Sequence, residues 1–116
     1  MGLITPHDLT LDDYQDKAVG TAFYPKDRAI TYLALALAGE AGEVANAIKK
    51  MLRDDGGQLT AERGKKIVDE LGDVLWYVAM LAWEMDVPLG FLADKNLKKL
   101  AARAKKGTLH GEGDER

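Results

Sequence analysis

At 116 residues, 47% hydrophobic and 30% charged, the chain has the size of one domain and a globular composition. A net charge of −3 gives no basic excess and argues against a nucleic-acid partner. The lack of cysteine excludes disulfides, thiolate catalysis and cysteine-ligated metal. The start "MGLITPHDLT" has no apolar signal core. The apolar runs near 29–39 and 74–83 fall short of the ~20 residues that span a bilayer. No membrane partner is expected, and a cytoplasmic location is.

Every predicted element is a helix. After a lead over 1–9, Thr10 with Asp13 three residues on makes a capping-box start, and Gly20 and Pro25 close that first helix. A second helix is expected from about Asp27 to Arg53. It ends at "DDGGQ", where paired glycines follow paired aspartates. Thr60 then caps a third helix that runs to about Met85. Pro88 fits the first turn of a fourth, which stops at Lys106–Gly107 with lysines in its last turn. Residues 10–107 form the domain, and 108–116 read as a mobile polar tail.

The middle two helices, "TYLALALAGEAGEVANAI" and "VDELGDVLWYVAMLAW", lack the polar face of a surface helix. Association with further copies would cover them, and the alanines of 34–38 would allow close helix approach.

Acids interrupt both apolar runs. Glu40 and Glu43 are three apart, which puts them about 60° from one another on a helix. Glu70 and Asp73 repeat the spacing on the third helix. A short turn makes the two helices antiparallel and can bring both pairs to one level, so four carboxylates would converge. The bland account pairs them with Lys49, Lys50, Lys65 and Lys66 on a solvated face. The sharper account is a metal site, because all-oxygen ligands favour Mg²⁺ or Mn²⁺. Both histidines, His7 and His110, fall outside the expected helices, which argues against a di-iron centre. Magnesium held by carboxylates usually acts on phosphate, and two ions could bind a polyphosphate and activate water. On the fourth helix Asn96, Lys99 and Arg103 recur at three and four, a stripe suited to phosphate oxygens or simply to solvent.

"GEAGEV" followed by "DELGDVLWYV" resembles the Glu-x-x-Glu … Glu-x-x-Asp signature of the MazG-like all-α nucleoside triphosphate pyrophosphohydrolases, with 26 residues between Glu43 and Glu70. "NLKKLAAR" is similar to their Asn-x-x-Lys-Leu-x-x-Arg segment, and "LDDYQDKAVGTAFYP" to the opening of short phage and bacterial members. The likeness covers about residues 10 to 107. It implies a four-helix bundle assembled as a homodimer or a homotetramer built from dimers. It also implies hydrolysis of a (d)NTP to monophosphate and pyrophosphate. Glu40, Glu43, Glu70 and Asp73 would hold two or more Mg²⁺ or Mn²⁺ ions, with Glu40 or Glu43 as proton acceptor. Asn96, Lys99 and Arg103 would contact phosphate, from this subunit or a neighbour. One departure is Gly39, where many relatives carry a further glutamate.

Gln15, Phe23, Trp76 and Tyr77 are the candidates for the base, an amide to read its edge and rings to stack on it. The plain account of the rings is core or subunit contact, and of Gln15, solvation. The base itself stays open, with dGTP among the purine possibilities. Two rivals remain: a non-catalytic helical interaction module, and a dUTP- or phosphoribosyl-ATP-specific pyrophosphohydrolase on the same scaffold.

Overall fold

The computed structural model of the chain describes residues 8–107. The tail expected after Gly107 and most of the lead lie outside them. Four α-helices follow one another: α1 (Leu11–Ala18), α2 (Ala29–Asp54), α3 (Ala61–Glu84) and α4 (Leu89–Lys106). A 3₁₀ turn, Val19–Thr21, extends α1. No strand occurs among the described residues.

Local chemistry sets each boundary. Thr10 Oγ1 accepts the Asp13 N–H at 3.0 Å, and the Asp13 carboxylate accepts the Thr10 N–H at 3.3 Å, so the capping box is formed. Helix α2 starts two residues later than the sequence suggested, at Ala29, because Asp27 lies in the turn after Pro25. Gly56 and Gly57 turn the chain with φ of 63° and 76°, values that glycine adopts without Cβ strain. Arg63 Nε donates to Asp55 Oδ2 at 2.8 Å, which ties that turn to the first turn of α3. Thr60 caps α3 through the Arg63 N–H. Pro88 sits one position earlier than expected, as the N-cap of α4. Gly107 ends α4 in the left-handed region, φ 73°.

Helices α2 and α3 form an antiparallel pair, the most extensive packing in the molecule, and α1 lies against α3 and α4. The expected bundle is modified at its last member: α4 turns 102° from the direction of α3. The core is small. Leu33 and Met80 are its fully buried large side chains, joined by Ala18, Tyr24, Ala29, Ala79 and Leu89. Much apolar surface stays uncovered. On α2, Leu35 (71% exposed), Ala38, Gly42, Ala45 and Leu52 recur at helical spacing, and on α3 Val68, Leu71 and Leu75 do the same.

Candidate metal and nucleotide site

Three of the four acids converge. Glu40 from α2 and Glu70 and Asp73 from α3 bring one carboxylate oxygen each within 4.8 Å of one another. Glu43 does not join this group, which corrects the fourfold convergence expected from spacing. The rotation of α2 about its axis aims Glu40 at α3 and leaves Glu43 exposed to solvent.

The charges of the triad are unequal. Burial is the first cause pushing the Glu40 carboxyl up, followed by a hydrogen bond shared with Glu70 and the field of Asp73. Glu70 is held below its ordinary value, chiefly by Lys66, whose Nζ lies 2.8 Å from Oε1. Glu40 Oε2 is also sealed from solvent without a formed hydrogen bond. An orphaned buried oxygen among three acids fits a divalent cation held by oxygen ligands, because a cation supplies the partner that the protein does not.

Beside the triad lies a cleft of roughly 360 Å³ flanked by Thr21, Glu40, Asp73, Trp76 and Tyr77. The Trp76 Nε1–H donates to Thr21 Oγ1 at 2.9 Å, and that hydroxyl donates to the Ala18 carbonyl at 2.7 Å. Trp76 and Tyr77 meet edge to face with centroids 5.0 Å apart, and Trp76 also meets Tyr24 edge-on. Burial raises the Tyr77 hydroxyl, with Tyr32, Glu40 and Asp73 adding to it.

Chains in which a middle segment carries this pattern form a known family. The model of the MazG nucleotide pyrophosphohydrolase domain matches residues 28–108. This chain belongs to the MazG family. It is also similar to the gene 37 protein of Mycobacterium phage L5, at 44% identity over 112 residues, covering 91% of this chain and 98% of that protein. No solved structure matches.

The other expected residues of this MazG domain scatter. Gln15, offered above as a reader of the base or as a solvated amide, is neither placed nor free to do that. It is 3% exposed, its Nε2 donates to the carbonyls of Ala79 and Val87 at 3.0 Å each, and its Oε1 accepts the Leu89 N–H at 2.9 Å. Phe23 is 91% exposed and outside the cleft. Along α4, Asn96 is exposed, Lys99 half-buried and Arg103 buried, so the stripe is not one solvated face, and none of the three lines this cleft. Two residues were overlooked. Lys66 entered only as one of four interchangeable counter-ions, although its i,i+4 spacing to Glu70 was visible. Thr21 carried no sequence signal, since only the folding of the 3₁₀ turn onto α3 brings it to Trp76.

Proposed function

We propose that the chain hydrolyses a nucleoside or deoxynucleoside triphosphate to the monophosphate and pyrophosphate, with a divalent cation held by Glu40, Glu70 and Asp73. The observation that carries this reading is the convergence of the three carboxylates around a buried, unpartnered Glu40 oxygen. When bound, Mg²⁺ or Mn²⁺ neutralises phosphate charge and makes water a better nucleophile. The chain's own groups do the rest. Glu70 and Asp73 anchor from α3, and Glu43 stands one turn along α2 as a further acid. Glu40 offers its unpartnered Oε2 to the cation, and Glu43, exposed on the same helix, would take the proton of the attacking water. Trp76 and Tyr77 give the cleft aromatic walls next to Asp73, a position from which a base or sugar can be held.

Asn96 and Lys99 are assigned to the phosphates through a second copy, while Arg103 is buried in its own chain, and the exposed apolar stripes of α2 and α3 supply the contact surface for a homodimer or homotetramer. Light scattering reads that assembly directly. The reading places the enzyme in the cytoplasmic nucleotide pool.

The test is incubation of the purified protein with each common NTP and dNTP in Mg²⁺, Mn²⁺ or EDTA, with products separated by ion exchange. Monophosphate and pyrophosphate formed only with metal is the expected result, and the same run ranks the bases. Diphosphate and phosphate would move the attack to another phosphorus. No turnover of any nucleotide would sink the reading in favour of a non-catalytic helical module.

A further inference from the structure

Lys66 is attached to the site in an unexpected way. On α3 it has a carboxylate one turn to each side, Glu62 at i−4 and Glu70 at i+4. In an isolated helix the pair with glutamate on the N-terminal side is the better one, because side chains lean toward the N-terminus. The structure has the opposite pair: Nζ sits 2.8 Å from Glu70 Oε1. The physical reason is the field of the triad. Glu70 is nearly buried and faces Glu40 and Asp73, and Glu43 and Asp69 also act on the Lys66 ammonium.

We propose that Lys66 is a displaceable counter-ion of the metal site, competing with the divalent cation for Glu70 and moving off as the cation binds. This rests on the metal reading above and adds a part to it. Three observations support a move rather than a fixed pair. The lysine side chain is 60% exposed and so has room to swing. Its ammonium and a doubly charged cation cannot share one small triad without repulsion. A second position is built in: Lys66, Glu62, Arg63, Thr60 and Asp55 line a polar recess to which Glu70 does not contribute, where Arg63 is already engaged by Asp55 and Glu62 is the intrinsically preferred partner. A metal that neutralises the triad removes the field holding Lys66 on Glu70, and the local helix preference then takes over. The i−4/i+4 choice makes the lysine a two-position element.

The experiment is direct Mn²⁺ titration of the full chain, free ion followed by electron paramagnetic resonance, with no nucleotide present. Lys66→Met is expected to bind Mn²⁺ roughly two- to fivefold more tightly than wild type, the scale of an exposed charge pair. Lys66→Arg, which keeps the charge, is expected to stay at the wild-type affinity. Equal or weaker binding by Lys66→Met would overturn the proposal and leave Lys66 as a group that orients Glu70. Tightening in Lys66→Arg as large as in Lys66→Met would overturn it too, since charge would not be the cause. If none of the three proteins binds Mn²⁺, the metal site itself fails, and the displacement with it.

Discussion

Two polar side chains with buried atoms, one at each end of the functional half of α3, are treated in opposite ways. At the α1–α3–α4 junction the amide of Gln15 is enclosed and satisfied by three backbone groups from two segments, Ala79 on one side and Val87 and Leu89 on the other. Nearby, Asp12 Oδ1 accepts the Gly90 N–H at 2.7 Å and completes the fastening of α4 to α1. In the acidic cleft the half-buried Glu40 keeps one sealed oxygen unmatched, and two more acids face it. A buried polar group that the protein satisfies is architecture, since leaving it unsatisfied costs stability. A group the protein leaves unsatisfied beside like charges is kept against a cost, which is how binding sites are built.

Substitution should separate the two regions. The largest effect belongs to the acids: Glu70→Gln or Asp73→Asn should lower nucleotide turnover by about a hundredfold or more with the helical circular dichroism unchanged, because a ligand is lost rather than a support. Retained activity in both would end the assignment of the triad.

Gln15→Leu should do the reverse. It strands the Val87 carbonyl and the Leu89 N–H at about 1–3 kcal/mol each and removes the second bond of the Ala79 carbonyl, so the melting midpoint should drop by roughly 10 °C or more, and added Mn²⁺ should not single out the damage. A melt indistinguishable from wild type would mean that the junction tolerates the loss and that the contrast is false.

A smaller effect tests the sign at Glu40. A carboxyl raised above its ordinary 4.5 in the fold contributes stability while protonated and loses it as pH rises through the raised value. In EDTA, Glu40→Gln should therefore melt above wild type near pH 8, an advantage that fades toward pH 4. An advantage growing toward acid pH would contradict the raised carboxyl.

The smallest effect sits where the two regions touch. Thr21→Val removes the acceptor of the Trp76 indole, which should cost about 0.5 kcal/mol and raise the nucleotide KM about threefold while kcat holds, with Thr21→Ser restoring both. A loss confined to kcat would place Thr21 in the chemistry instead of the cleft wall.

Much of this was legible in the residues. Capping pairs, glycine turns and the terminal glycine of α4 are local signals, and they located all four helices. The boundaries shifted only where the turn after Pro25 and the corner at Pro88 were decided by packing. The paired acids were legible as well, because spacing of three on two apolar helices joined by a short turn leaves few ways to arrange them. What spacing could not give was the rotation of each helix about its axis, which brings Glu40 in and turns Glu43 out. Gln15 was misjudged for a related reason. It lies on the same stripe as Leu11, Tyr14 and Ala18, a placement that signals burial, but its three partners are up to 74 residues away along the chain.

By itself the sequence determined the helical content, the turns, the family pattern and the set of acids, since each depends on residues a few positions apart. Only the tertiary structure decided which three carboxylates meet, which oxygen is left without a partner, which of two glutamates Lys66 takes, and that α4 lies across α3. Those choices depend on helix rotation, burial and the summed field of groups brought together from distant positions.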